Sequence, residues 1–131
     1  CRDAYRETLN ILDEIYLPNL QGRWPGVIHS FSAGPNYLQE FLRRGFYIGL
    51  NAIITYPGND SLEESVRLVP MNRIVLETDA PYLPLASRRG ERNEPMRVIE
   101  VAEHVAMLKN IDVEEVVVKS TVNAITLFGL Q

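Results

Sequence analysis

Cysteine is almost absent: Cys1 is the single one among 131 residues. No internal disulfide can form, and so few thiols fit a reducing, cytoplasmic setting. Long apolar runs are missing too. Nothing approaches the roughly 18 residues of a membrane span, and no signal-peptide pattern opens the chain. Positive charge is scarce, with 13 Lys and Arg against 17 Asp and Glu, a net charge of −4. That balance excludes a global electrostatic hold on nucleic acid. A phosphate-bearing substrate would have to be met locally, by metal ions or a few arginines. There is no phosphate-cradling glycine loop, no Cys-x-x-Cys pair and no Gly-x-Ser-x-Gly elbow.

What remains is ordinary globular composition, 46% hydrophobic and 23% charged, at a length that suits one domain over 1–131. The chain opens at Cys1 without a methionine and enters a helical pattern at once, which reads as part of a longer protein. A first helix is predicted from Asp3, as N-cap, to about Tyr16. Val27–Phe31 reads as a short buried strand. Pro35 starts a helix whose stripe of Tyr37, Leu38, Phe41 and Leu42 ends at Gly45. Phe46–Leu50 is a second strand, extendable to Ile54. A helix capped by Asp60 or Ser61 runs to about Val69, and Ile74–Glu77 is the third strand. A loop, 80–93, precedes a helix opened by Pro95, and two shorter helices, Val113–Lys119 and Ser120–Phe128, close the chain.

Strands alternating with helices imply an α/β fold with parallel strands and right-handed crossovers. Three strands cannot close a barrel and would leave two apolar edges, which again suggests part of a larger sheet.

The most informative stretch is Arg73–Pro81, in which four strand-forming residues run into two carboxylates and a proline. Alternation puts Glu77 and Asp79 on one face with Val75. Acids at the C-terminal end of a strand stand where α/β proteins place their chemistry. His29 ends another strand. Imidazole and carboxylate are the usual ligands of hydrolytic metals. Each residue also has a plainer reading: His29 as a core histidine, Asp79 as a turn residue, Glu77 as the partner of a buried arginine. In the loop 88–95, Arg92 or Arg89 offers a guanidinium to phosphate, and Asn93 or Glu94 could instead cap the following helix. His104 falls on that helix as a surface or packing residue.

These segments resemble one family. Ser65–Pro81 is similar to the third signature of the TatD-related metal-dependent hydrolases, often described as TatD deoxyribonucleases. Gly26–Ser32 resembles the family's His-Cys-Phe-Ser-Gly strand end, and Gly45–Gly49 its next strand. Arg89–Pro95 resembles its Arg-Gly-Lys-Arg-Asn-Glu-Pro loop, and Thr121–Gly129 its Asn-Ala…Leu-Phe tail. Arg2–Ala4 matches the segment after its His-x-Arg strand. The resemblance implies a partial (β/α)8 barrel: the last three parallel strands, their helices and C-terminal extra helices. It implies that His29 ligates one metal ion. Asp79 would ligate another and orient or deprotonate the attacking water, with Glu77 in a supporting role. Arg92 and Asn93 would meet substrate. Two divalent ions (Mg, Mn or Zn) are implied for a complete site, the other ligands lying on earlier strands. Two departures stand near the site: Ser32-Ala33 where the family has Ser-Gly, and Ala52 for a common glycine.

The expected reaction is cleavage of DNA phosphodiesters by metal-activated water, without a membrane partner. A rival is an ester or amide hydrolase, such as a deacylase acting on mischarged transfer RNA. A rival of another class is a non-catalytic chain that self-associates or docks with the missing N-terminal portion.

Overall fold

The computed structural model describes residues 4–22 and 25–130. Three strands pair in parallel in the order β1–β2–β3: β1 is Val27–Ile28, β2 is Tyr47–Leu50 and β3 is Ile74–Leu76. Val27 lies beside Tyr47, Ile48 beside Ile74 and Leu50 beside Leu76. Among the described residues five α-helices accompany them: α1 (Tyr5–Ile11), α2 (Pro35–Arg43), α3 (Asp60–Leu68), α4 (Val98–Lys109) and α5 (Val113–Phe128). Parallel strands need long crossovers, and α2 and α3 supply them. All three strands therefore end on the same side, and the residues that follow them converge. This is the α/β architecture with parallel strands that the order of elements implies, and it agrees with the partial (β/α)8 barrel that the resemblance implies. No described helix is long and apolar enough to cross a membrane.

The core sits between the sheet and the helices. All four residues of β2 are buried because the strand has a neighbour on each side. Pro35 starts α2 at the position where its missing N–H costs nothing, and the helix buries Leu38 and Phe41. The Phe41 ring packs edge-on against Phe31 at 6.4 Å and Phe46 at 6.1 Å. Because Phe31 is fixed there, the return that carries His29, two residues earlier, is anchored at its far end. Lys109, at the end of α4, donates to the carbonyls of Val66, Arg67 and Val69 and so closes the C-terminus of α3.

Several boundaries differ from the sequence reading, each for a local reason. The helical run at the N-terminus changes geometry: π turns occupy Leu12–Tyr16 and a 3-10 turn Leu17–Asn19. The expected cap Asp3 lies outside the described residues. The β1 ladder stops at Ile28, because Ser30 turns to φ +50°, although Phe31 N–H still donates to the Gly49 carbonyl. β2 does not reach Ile54. Asn51 turns the chain by accepting the Ile53 N–H on its own side chain, and Ala52–Thr55 forms a 3-10 turn. Asp60 begins α3 as its first residue, and the Asn59 amide goes to the Ile53 carbonyl rather than to a cap. The last two predicted helices are one, α5, because the Ser120 hydroxyl folds back onto the Val117 carbonyl and leaves the helix unbroken.

The second histidine is structural. His104 lies on α4, half-buried, with its Nε2 buried and unpartnered among the described residues. Burial holds its pKa below the ordinary value, against opposing pulls from the Ile54 backbone and the Glu63 charge. A histidine kept neutral in the folded state binds more protons when unfolded. Its contribution is complete above the ordinary value of about 6.5 and is lost as pH falls below it. Denaturant midpoints should therefore drop from about pH 7.5 to about pH 5.5 more in the parent than in His104→Gln. Equal drops would acquit this residue.

Candidate metal centre

The site forms where the three strands end. β1 delivers His29, β2 delivers Asn51, and β3 delivers Glu77 and Asp79. The expectation that strand alternation orients both acids changes in detail. β3 ends at Leu76, Glu77 N–H still donates to the Leu50 carbonyl, and Asp79 turns to φ +57°. It is this left-handed return that brings the second carboxylate back beside the first.

Both acids meet the same imidazole. His29 Nδ1 lies 3.0 Å from Glu77 Oε2, and His29 Nε2 lies 3.2 Å from Asp79 Oδ1. One donor atom from each of the three side chains lies within 4.8 Å of the others. The His29 side chain is 66% exposed, whereas those of Glu77 and Asp79 are 14% and 18% exposed. Ion-to-ligand distances of roughly 2.1 Å at a right angle put two donor atoms about 3 Å apart. The resemblance implies separate ions for His29 and Asp79, but their Nε2–Oδ1 spacing of 3.2 Å suits two ligands of one divalent ion, and the donor set is that of a hydrolytic metal.

Each acid is held from behind. Glu77 Oε2 accepts the Ser30 N–H at 2.9 Å. Burial raises the Glu77 pKa, opposed by that N–H and by His29. The carboxylate lies directly over Gly49, where a Cβ would overlap it. Asp79 Oδ2 accepts the Asn51 amide at 2.5 Å, and the same amide donates to Ser30 Oγ at 2.8 Å. Asn51 is 1% exposed. The sequence reading passed over it as strand interior, although a lone amide within the run Tyr47–Ile54 was a signal.

The loop residues sort differently from expectation. Asn93 is buried, and its Nδ2 donates to the carbonyls of Thr78, Tyr82 and Leu83 while its Oδ1 accepts the Glu94 N–H. It clamps the turn that carries Asp79, so its amide is not free to meet substrate. Arg92 is exposed and does not line the cavity in front of His29. Arg89 does. This open cavity of about 730 Å³ is walled by His29, Ser30, Ser32, Tyr56 and Arg89, among others. The Arg89 guanidinium lies over the Tyr56 ring, 4.8 Å from its centroid, and Tyr56 is pinned by its hydroxyl to the Pro84 carbonyl. Arg88 and Arg97 on either side are held by Glu91, Glu94 and Glu100. Arg89 has no carboxylate partner among the described residues.

Comparison with known proteins gives a consistent result. The family model described as TatD related DNase matches residues 1–129. A protein described as the uncharacterized metal-dependent hydrolase YcfH of Escherichia coli K12 is 38% identical over 129 residues, which is 98% of this chain and 47% of that protein. The 3'-5' ssDNA/RNA exonuclease TatD of Erwinia amylovora is 35% identical over 135 residues, 99% of this chain and 51% of that protein. The crystal structure of YJJV, a TatD homolog from Escherichia coli K12, superposes with a TM-score of 0.88 at 28% identity, over 99% of this chain and 48% of that one. The chain thus spans about half the length of the relatives it matches.

Proposed function

Because this chain belongs to the TatD-related DNase family, we propose that it forms the C-terminal part of a divalent-metal hydrolase barrel that cleaves DNA phosphodiesters. The observation that carries the reading is one imidazole flanked by two fixed carboxylates, at 3.0 and 3.2 Å, facing a cavity walled also by a guanidinium that has no carboxylate partner among the described residues. His29 Nε2 and Asp79 Oδ1 would hold the ion. Glu77 supports them: it accepts the Nδ1–H of His29, which fixes the tautomer and turns the Nε2 lone pair toward the ion. A bound divalent ion lowers the pKa of water and offsets charge on the phosphoryl oxygens. Asp79 would also orient an attacking water or take its proton. Arg89, rather than Arg92, meets the anionic substrate, since guanidinium suits phosphate and the Tyr56 ring keeps it directed into the cavity. Mg²⁺, Mn²⁺ and Zn²⁺ all accept this donor set, and a second ion would need ligands beyond these three residues.

The test is nucleotide release from single-stranded DNA by the protein carrying this chain, with Mg²⁺ or Mn²⁺ and again with chelator. Release that chelator abolishes is the expected result. Metal binding without release would move the substrate to another ester or to an amide, such as the aminoacyl bond of mischarged transfer RNA. Release that is indifferent to chelator would overturn the metal reading.

A further inference from the structure

Among the described residues Asn51 is the one fully buried polar side chain bonded to a candidate ligand, and its three hydrogen bonds connect three segments. Its Oδ1 accepts the Ile53 N–H at 3.1 Å, which fixes the carboxamide plane. With that plane fixed, the two Nδ2 hydrogens have set directions. One goes to Ser30 Oγ and the other to Asp79 Oδ2. The two oxygens of Asp79 are thereby given different tasks. Oδ2 is tied to Asn51 behind the site, while Oδ1 points at His29 Nε2.

We infer that Asn51 is a positioning residue for metal binding, holding Asp79 so that it offers an ion a single oxygen, Oδ1. The inference rests on the metal reading above. It makes the site symmetrical in its support: Glu77 orients the histidine ligand and Asn51 orients the carboxylate ligand. An amide suits this task because it donates without bringing charge. A carboxylate at position 51 would repel Asp79, and an apolar residue would free the Asp79 side chain to rotate or to present both oxygens. Partners that orient metal ligands affect affinity even though they never touch the ion.

A second asparagine supplies the control. Asn123 is also buried and also spends its amide on two acceptors, the carbonyls of Met71 and Ile74. Met71 lies in the turn before β3 and Ile74 is its first residue, at the end away from the site. Mn²⁺ affinity should be measured by electron paramagnetic resonance on the parent, Asn51→Leu, Asn51→Ser and Asn123→Leu, each below its own melting temperature. Asn51→Leu should bind Mn²⁺ roughly 10- to 100-fold more weakly. Asn51→Ser, which keeps one donor, should fall between it and the parent, and remains informative if the leucine variant fails to fold. Asn123→Leu should lose stability yet keep the parent's affinity. Undiminished Mn²⁺ binding by a folded Asn51 variant would overturn this inference and leave the metal site standing. An equal loss in Asn123→Leu would also overturn it, by reducing the effect to general destabilisation. No Mn²⁺ binding by the parent would overturn the metal reading and this inference with it.

Discussion

Asp79→Asn is expected to lower metal-dependent turnover by about 10²–10⁴-fold, the range in which a positioned acid–base group acts. The substitution keeps the shape of the side chain and removes its charge. Oδ1 stands 3.2 Å from His29 Nε2, where an ion would be shared, so the loss falls on ion binding and on proton transfer together. The fold should survive. Asp79 is part-buried at the site rim, and its turn is clamped independently by Asn93 through Thr78, Tyr82 and Leu83. Steady-state rates over a Mn²⁺ series, beside circular dichroism of both proteins, provide the check. If rates at saturating Mn²⁺ match the parent, Asp79 has no part in the chemistry. If they recover only at high Mn²⁺, its role is to hold the ion.

Gly49→Ala should disturb fold and site together. A Cβ at Gly49 would overlap Glu77 Oε1 and sit 2.5 Å from its Cδ. Gly49 is buried in the central strand, paired with Val75 of β3, so the backbone cannot retreat. The carboxylate must move instead, and it then loses both the Ser30 N–H and the His29 imidazole. Overpacking of this kind costs about 1–3 kcal/mol of stability. Displacing the partner of a metal-binding histidine costs roughly 10- to 100-fold in affinity. Urea unfolding and Mn²⁺ titration of the same preparation separate the two effects. Stability lost without affinity lost would mean that Glu77 does not orient His29.

The order of elements was legible because it depends on local patterns: alternating apolar strands, Pro35 at a helix start, Pro95 at the 3-10 turn that leads into α4 three residues later than expected, Gly45 and Gly129 after helix ends. His29 and Asp79 were legible by residue type at strand ends, and by the resemblance of their segments to a family. What was not legible depends on the third dimension. The loop 88–97 carries four arginines, and nothing local tells that Arg88 and Arg97 turn to glutamates while Arg89 lies over Tyr56. Asn93 showed as a polar loop residue, but its burial follows from three carbonyls brought together by the turn after β3. Asn51 was hidden for the opposite reason. Apolar neighbours on both sides made it look like strand interior, and its partners are 21 and 28 residues away.

The two left-handed returns, at Ser30 and Asp79, carry a consequence for how this protein can change. Each stands at φ near +50° to +57°, a region where side chains other than glycine, asparagine and aspartate are disfavoured. A serine held there costs on the order of 1 kcal/mol, which glycine would recover. The gain would remove the hydroxyl that Asn51 uses. Ser30→Gly is therefore expected to relieve the backbone and weaken the hold of Asn51 on the site in one step, so that stability and support of Asp79 trade against each other at a single position.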